Sequence, residues 1–174
     1  GGCNLGAQSS ESEFLLFLNN DTIHKHNFIE PLVNLLDHDK SIASVQPKII
    51  NIDKVHFDYA GASGGYMDYL VFPYSRGRIF NTVEKDNNQY DDQKKIFWAS
   101  GACFLTRKSI FISCGGFDET LFAHMEEIDF HWKTYMHGMS VYVEPKSIIY
   151  HEGGATLNKN SSKKLYLNHR NSLV

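Results

Sequence analysis

A run of five apolar residues that stops on three polar ones does most to constrain how this 174-residue chain can fold. The segment is EFLLFLNNDT, in which Phe14–Leu18 is apolar and Asn19, Asn20 and Asp21 follow. An apolar run of this length is typical of a strand that is covered on both faces. Ligands of open α/β sheets bind beyond the carboxyl ends of the strands. The pattern therefore predicts an α/β fold with a polar site at the edge of its sheet.

Three segments predict the longer helices of the chain. Residues 26–39 carry apolar side chains at helical spacing, and Pro31 is tolerable there because it lies near the first turn. A terminal helix is expected at about 160–172, capped by Ser161 or Ser162. The segment MEEIDFHWKTYMHG predicts the remaining helix from an apolar stripe of Met125, Ile128, Trp132 and Met136.

Strand signals complete a single α/β domain. Ser41–Ile50 is one predicted strand, and IFWASGACFLTRKSIF predicts a strand interrupted by Gly101 that runs into a short helix. SVYVEP and SIIYHEG predict two further short strands. Between Asn51 and Gln93 the periodicity is weak, which predicts a long ordered segment with one short hairpin. Loops of that length in compact domains are usually functional or disordered.

Composition excludes some classes of function. A formal net charge of -3 argues against a nucleic-acid partner, which usually needs a basic face. The three cysteines, Cys3, Cys103 and Cys114, are widely spaced and indicate free thiols in a reducing compartment. No apolar run approaches the roughly 18 residues of a membrane span, and no signal peptide is recognisable. A cytoplasmic location is expected.

The polar residues after the first strand suit a metal and a sugar phosphate. Asp21 offers the hard oxygen that Mg²⁺ or Mn²⁺ prefers, and Asn19 and Asn20 can hydrogen-bond sugar or phosphate groups without adding charge. The alternative is that Asp21 and Thr22 cap the next helix.

The segment HMEEIDFHW holds three carboxylates, those of Glu126, Glu127 and Asp129. One of them could serve as a general base for a hydroxyl proton. The alternative is a plain helix whose first turn is acidic because the macrodipole favours it. A zinc site using His124 and His131 lacks the spacing that places two imidazoles one turn apart.

Two further patterns are ambiguous on their own. His151 ends an apolar strand just before Gly153 and Gly154, so its neutral imidazole could bind the same metal as Asp21, or it could simply be a hydrogen-bonded histidine. Arg76 and Arg78 could bind a diphosphate or a charged acceptor, or could belong to a solvated loop.

The order of four segments carries a family resemblance: LLFLNNDT, WASGACFLTRKSIF, GGFDETLFAHMEEIDFHW and IIYHEGGAT. Over nearly the whole chain they resemble the GT-A glycosyltransferases of family 2, and within these the rhamnosyltransferase-like branch of bacterial surface polysaccharide assembly. The resemblance implies a GT-A fold in which residues 19–21 form the DxD-like motif and residues 96–156 the acceptor-side half. It also implies that the nucleotide-binding front of the domain precedes Gly1, so that the chain alone could be inactive and its first strand would lie at an exposed edge.

The resemblance implies roles for individual residues. Asp21 would hold the divalent metal and Asn19 would contact the nucleotide sugar, although this sequence has Asn where the motif begins with Asp. Glu127 would be the catalytic base, with Glu in place of the more usual Asp. Glu126 and Asp129 would shape the acceptor site. Trp98, Ser100 and Gly101 would line the pocket for the donor sugar and the acceptor, and His151 would lie near the diphosphate.

The implied reaction is inverting, metal-assisted transfer of a sugar from a nucleotide-diphospho-sugar to a hydroxyl of a glycan or lipid-linked acceptor. It implies an enzyme in the cytoplasm or at the inner face of the membrane, and it is compatible with peripheral membrane association and a homodimer. Two other classes are weighed against it: a non-catalytic nucleotide-sugar or carbohydrate-binding module, and a nucleotidyltransferase, which would need a glycine-rich phosphate loop.

Overall fold

The computed structural model describes residues 1–79, 82–121, 123–152 and 162–171. The helices in these ranges are α1 (Gly2–Ser9), α2 (Ile29–His38), α3 (Lys108–Ser113), α4 (Glu126–Met136) and α5 (Ser162–Asn171). The strands are β1 (Phe14–Leu18), β2 (Thr22–His24), β3 (Ile42–Asn51), β4 (Gly65–Met67), β5 (Pro73–Ser75), β6 (Arg78–Ile79), β7 (Thr82–Val83), β8 (Lys94–Ile96), β9 (Cys103–Arg107) and β10 (Ser140–His151). Each described helix is too short or too polar to serve as a membrane span.

The centre of the fold is a mixed six-stranded sheet. Its order is β1-β9-β3-β10-β2, and β8 pairs with β10 near the start of that strand. β3 and β10 run parallel, whereas the other pairs are antiparallel. The predicted α/β class, a mixed sheet flanked by helices, is confirmed.

Helix α2 covers one face of this sheet. Its Leu32 and Leu36 are fully buried and pack with Ile42, Val45 and Leu105 of the neighbouring strands. The spacing of four residues places both leucines on one side of the helix, as the sequence predicts.

The opposite face is covered by α3 and α4 through aromatic side chains. Phe104 of β9 is fully buried, stacks on Phe17 at a centroid distance of 4.8 Å and lies 6.1 Å from Phe130 of α4. Phe111 of α3 contacts Phe130 edge to face at 5.1 Å. Aromatic side chains bury large apolar areas, so this cluster contributes much of the hydrophobic stabilisation.

The predicted apolar stripe of α4 is not the face that the helix buries. Phe130, His131 and Thr134 are buried instead, whereas Trp132 and Met136 are 43% and 79% exposed. The buried face can include polar residues because their side chains bond within the helix: Thr134 Oγ1 donates to the Phe130 carbonyl, and His131 Nδ1 lies 2.6 Å from the Glu127 carbonyl oxygen. The large ring of Phe130 therefore decides which side faces the sheet.

Several strand predictions also need correction. β1 is the last strand of the sheet on its side, and its residues are mostly half-buried rather than covered on both faces. The two strands predicted from SVYVEP and SIIYHEG form one strand, β10, because both parts pair with β3 and a register shift between Glu144 and Ile148 absorbs the irregularity. Helix α1 was not predicted from the sequence.

The terminal helix is present as α5, close to its predicted bounds. Ser162 is its first residue, whereas Ser161, the other predicted cap, lies outside the described residues, as do Gly153 and Gly154.

Residues 52–93 are here called the excursion, and the described residues of this range form two hairpins, β4–β5 and β6–β7, where the sequence predicts one. A buried cation fixes the excursion to the sheet: Lys48 Nζ lies 2.8 Å from Asp86 Oδ2 and 2.6 Å from Asp91 Oδ1. A glycine permits a second attachment, because a Cβ at Gly65 would lie 2.1 Å from the ring of Trp98. The described part of the long segment is thus ordered by specific polar and close-packed contacts.

Candidate functional site

Sheet pairing brings the polar segment after β1 next to the loop before β9. Leu18 pairs with Cys103, and one residue further the amide of Asn19 donates to the Ala102 carbonyl at 3.0 Å. His151 pairs with Thr22 on the other side of the same segment. Residues remote in sequence therefore meet at one edge of the sheet.

His151 is the centre of this edge. It is 5% exposed, and its Nε2 lies 3.2 Å from Asp21 Oδ1 and 3.5 Å from Asn19 Nδ2. Its Nδ1 donates to Asp58 Oδ1 at 3.0 Å. Burial alone would lower the pKa of His151, but the hydrogen bond to Asp58 and the charges of Asp58 and Asp21 outweigh it, so the pKa is raised.

Asp58 is a site residue that the sequence analysis missed. It lies in the excursion, is 1% exposed, and its amide donates to the Ile49 carbonyl at 3.0 Å. A carboxylate on the second ring nitrogen fixes the orientation and tautomer of a histidine. The sequence around it, FDYAG, has no periodicity that would separate this aspartate from others in the segment.

The predicted metal ligands, Asp21 and His151, fit a partial site. Asp21 Oδ1 is buried and has no aligned hydrogen-bond donor among the described residues, although His151 Nε2 is close. A carboxylate oxygen and an imidazole nitrogen that face each other in this way suit a divalent cation. The described residues contain no cluster of three or more His, Cys, Asp or Glu placed to bind a metal, so further ligands would have to come from elsewhere, such as the oxygens of a diphosphate.

The carboxylate of Glu127 lies against the same loop. A Cβ at Gly101 would lie 3.7 Å from Glu127 Oε1, and the Gly101 amide donates to this carboxylate. Although the residue keeps partial exposure, protein atoms surround its carboxyl group. This desolvation, followed by the charge of Glu126, raises the pKa of Glu127 to about 8. Gly101 and Ala102 thus connect Glu127 to Asn19.

Two unusual residues set where α4 begins. His124 and Met125 both have left-handed backbone conformations, with φ of 68° and 73°, and the helix has no side-chain cap. Non-glycine residues in this region are strained. Asn171 of α5 offsets this strain, because its Nδ2 lies within 3.0 Å of the carbonyl oxygens of Leu121, Ala123 and His124. Glu126 and Glu127 are the two residues that follow Met125 in the chain.

Glu126 and Asp129 differ in their surroundings. Glu126 Oε2 is buried and has no hydrogen-bond partner among the described residues. Asp129 Oδ2 accepts from Lys133 Nζ at 2.6 Å, one turn further along α4. Asp129 is therefore paired within α4, and it lines a cleft beside that helix.

This cleft has a volume of about 560 Å³ and lies between α4 and the β4–β5 hairpin. Its lining includes Asp129 but not Asp21, Glu127 or His151. One wall is formed by Met125, Ile128 and Trp132, three members of the apolar stripe predicted for this helix. Asp129 and Lys133 of α4 line the cleft beside them.

Trp98 and Ser100 are engaged in holding the structure. Trp98 is 5% exposed, and its Nε1 donates to the Tyr66 carbonyl at 2.9 Å. Ser100 is 1% exposed, its Oγ donates to the Ala60 carbonyl, and its amide donates to Gln46 Oε1. Both position the loop that carries Gly101, and direct contact of either side chain with a ligand stays a prediction.

Arg76 and Arg78 are likewise engaged, in contrast to side chains of a solvated loop. Arg76 Nη1 donates to Asp92 Oδ1 at 2.8 Å, and its guanidinium lies 4.9 Å from the ring of Tyr90. Arg78 Nη1 donates to the Tyr59 carbonyl at 2.6 Å. Their binding to a diphosphate or acceptor stays a prediction.

The polar residues after β1 do not cap a helix. Helix α2 begins at Ile29, whereas Thr22 is the first residue of β2, so the capping alternative is wrong. Asn20 is exposed. The segment is therefore available to the site that His151 organises.

The profile of the family described as "Glycosyl transferase family 2" matches residues 1–115. The chain belongs to glycosyl transferase family 2. Among the curated members, it is 27% identical over 111 residues to the N-acetylglucosaminyl-diphospho-decaprenol L-rhamnosyltransferase of Mycobacterium tuberculosis, covering 63% of this chain and 36% of that protein. It is 22% identical over 136 residues to rhamnosyltransferase WbbL of Escherichia coli K12, covering 78% of this chain and 51% of that protein.

This family 2 chain thus spans between about a third and a half of the length of the two curated relatives. Its fold matches the crystal structure of GalNAc-T7 with UDP, GalNAc and Mn²⁺, with a TM-score of 0.65 at 16% identity. The match covers 98% of this chain and 32% of the GalNAc-T7 chain. The expected GT-A fold and the expected membership of family 2 are confirmed, and the curated relatives that the chain resembles are rhamnosyltransferases.

Proposed function

We propose that the chain carries the diphosphate-binding and acceptor-activating residues of an inverting glycosyltransferase. The reaction would transfer a rhamnosyl group from a nucleotide-diphospho-sugar to a hydroxyl of a glycan or lipid-linked sugar. The observation that carries the proposal is the continuous path of contacts from Asp21 and His151, through Asn19 and the Gly101 loop, to Glu127.

Glu127 is the proposed base. In an inverting transfer one carboxylate takes the proton of the acceptor hydroxyl while that oxygen attacks the anomeric carbon and the diphosphate leaves. A base works best when its pKa lies near the operating pH, and the pKa of Glu127 is raised to about 8. The Gly101 amide orients one oxygen, so the other can face the acceptor.

Asp21 and His151 are the proposed ligands of Mg²⁺ or Mn²⁺. A divalent cation bound there would offset the negative charge that gathers on the leaving diphosphate. Asp58 orients His151 so that Nε2 faces Asp21. The side-chain amide of Asn19 would donate a hydrogen bond to the same diphosphate.

The remaining parts of the proposal concern cellular role. The names of the curated relatives support a rhamnosyl donor and, for the mycobacterial protein, a decaprenol-linked acceptor. We place the reaction in bacterial surface polysaccharide synthesis, in the cytoplasm or at the inner face of the membrane. Pairing with a second copy stays a prediction.

The test compares Glu127→Gln with the matched exposed variant Glu30→Gln in the whole gene product. Turnover of UDP-, GDP- and dTDP-sugars is assayed with Mn²⁺, and donor affinity is measured by calorimetry. Glu127→Gln should lower turnover by roughly 10²–10⁴-fold and leave donor affinity nearly intact, whereas Glu30→Gln should change neither.

Three results would contradict the proposal. Equal loss of turnover and affinity in Glu127→Gln would assign this residue a structural role. Donor binding without any turnover in the unsubstituted protein would favour a binding module. Turnover that Glu127→Gln leaves unchanged would remove the proposed base.

A further inference from the structure

Four consecutive apolar side chains are exposed at the tip of the β4–β5 hairpin. Tyr69, Leu70, Val71 and Phe72 are 91%, 58%, 51% and 65% exposed, respectively. Single exposed apolar residues are ordinary on protein surfaces, but a contiguous patch marks a contact with another apolar surface. This segment, here called the tip (residues 69–72), plays no part in the proposed reaction.

The backbone of the tip is held in a defined conformation. Asp68 Oδ1 accepts hydrogen bonds from the amides of Leu70 and Phe72, each at 2.8 Å, and the Asp68 amide donates to the Phe72 carbonyl at 3.1 Å. Val71 has a φ of 69°, which is costly for a β-branched residue. The fold thus maintains a strained turn that presents large apolar side chains outward.

The tip adjoins the cleft beside α4. Met67, Val71 and Pro73 of the hairpin line this cleft, opposite Ile128 and Trp132 of α4. An apolar surface therefore continues from the exposed tip into the cleft, on the side of α4 that carries Asp129.

We propose that the tip inserts into the interfacial region of a lipid bilayer and holds the mouth of the cleft at the membrane surface. The size of the patch favours lipid over a protein partner. A stable protein interface buries about 800 Å² on each side and takes roughly 20–30 residues to do so, whereas the tip is a turn of four residues. Tyrosine beside Leu and Phe is the composition found where proteins contact the boundary between headgroups and acyl chains.

The consequence for catalysis rests on the proposed function. A polyprenyl-linked acceptor stays in the membrane, so its sugar can be reached only by an enzyme whose acceptor cleft opens at the lipid surface. The apolar wall of Met67, Ile128 and Trp132 would then contact the first isoprenoid units while the sugar extends toward Glu127.

The binding test uses flotation with phosphatidylcholine vesicles, with and without phosphatidylglycerol, at low and high salt. Leu70→Ser combined with Phe72→Ser should lower vesicle partitioning at least about thirtyfold, because burial of apolar surface drives insertion. The matched control combines Leu5→Ser with Tyr166→Ser, two residues that are 66% and 62% exposed elsewhere on the chain. The control should bind like the unsubstituted protein, and high salt should leave binding in place.

A second variant tests the depth of insertion without removing apolar surface. Tyr69→Trp should gain fluorescence that shifts to the blue and is quenched by brominated phosphatidylcholine, beyond the signal of the native Trp98 and Trp132. Leu5→Trp should also add fluorescence, but that fluorescence should neither shift to the blue nor be quenched by brominated phosphatidylcholine.

Several results would overturn this inference. One is failure of the unsubstituted protein to float with the vesicles, and another is a control pair that loses as much vesicle binding as the tip variant. Vesicle binding that requires phosphatidylglycerol and disappears at high salt would count equally against insertion. A dimer in sedimentation that dissociates in the Leu70→Ser and Phe72→Ser variant, without vesicle binding, would assign the tip to a second copy. Donor turnover with a water-soluble acceptor separates the two proposals: it should survive in the tip variant and be lost in Glu127→Gln.

Discussion

The central sheet and the excursion are stabilised by different kinds of contact. The sheet is covered by Leu32 and Leu36 on one face and by the rings around Phe104 on the other. In the excursion the described residues share a smaller apolar cluster around Phe57, and the ion pairs of Lys48 with Asp86 and Asp91 attach the excursion to the sheet. The stabilisation from apolar burial is shared among many residues, so one substitution removes only part of it. A polar attachment between two or three groups is lost when any one of them is replaced.

This difference explains how the site is built. Asp21, Glu127 and His151 are carried by the sheet and its helices, while Asp58 and the tip belong to the excursion. The sheet therefore fixes the proposed chemical groups, and the excursion orients His151 and forms one wall of the cleft. Damage to the excursion should alter the site while most of the fold persists.

The largest effect is expected in the aromatic core of the sheet. Phe104→Ala should lower the free energy of unfolding by about 3–5 kcal/mol, because it leaves a cavity between Phe17 and Phe130. Urea denaturation measures this change, and the loss should be cooperative over the whole chain. Met136→Ala removes an apolar side chain that is 79% exposed and should cost less than about 0.5 kcal/mol. Similar costs for both variants would contradict the assignment of the core.

A smaller and local effect is expected at the attachment of the excursion. Lys48→Met leaves Asp86 and Asp91 without their buried cation, which should cost about 2–3 kcal/mol because Asp91 retains access to water. Native-state hydrogen exchange should show faster exchange in the described part of residues 52–93 and nearly unchanged exchange in β3 and β9.

The matched control is Lys40→Met, which removes an exposed ion pair with Asp37 and should change stability by less than about 1 kcal/mol. Loss of protection from hydrogen exchange throughout the sheet in Lys48→Met would show that the sheet and the excursion unfold as one unit. That result would contradict the difference drawn between the two regions.

A third effect, confined to one carboxyl group, is a pH dependence at Glu127, where the loop before β9 meets α4. The folded state keeps this carboxyl protonated up to about pH 8, whereas the unfolded chain releases the proton near its ordinary pKa of 4.5. Stability should therefore fall as pH rises between these values. Relative to Glu127→Gln, the protein should have equal stability at about pH 4.5 and be less stable by at least about 1 kcal/mol at about pH 9.

Thermal unfolding at a series of pH values measures this difference. Glu30→Gln, on the exposed side of α2, should show no such trend. A stability difference that is constant with pH would mean that Glu127 is ionised in the folded state throughout.

The sequence predicts the sheet better than the excursion because hydrophobic periodicity reports apolar burial. The bounds of β1, α2 and β3 follow closely from that pattern. The buried face of α4 differs from its apolar stripe because Phe130 competes with Ile128 and Trp132, and the spacing alone cannot rank the two faces. The single strand β10 depends on pairing with β3 on both sides of an irregularity, which no local pattern records.

The candidate site shows the same difference between what the sequence predicts for the sheet and for the excursion. The proximity of Asp21 and His151 agrees with what the family resemblance implies, since Asp21 follows β1 and His151 ends β10 of the same sheet. Asp58 was missed because its position depends on how the excursion folds back onto β3. Trp98 and Ser100 were assigned to ligand binding, yet their side chains are already engaged with the excursion.

The contacts of Asn171 make the start of α4 dependent on a residue more than forty positions later in the chain. The two left-handed residues that precede the acidic turn would otherwise relax toward ordinary backbone angles and rotate the first turn of the helix. The position of the carboxylates of Glu126 and Glu127 consequently depends on the docking of the last described helix, so a disturbance on that outer surface would displace these groups without touching them.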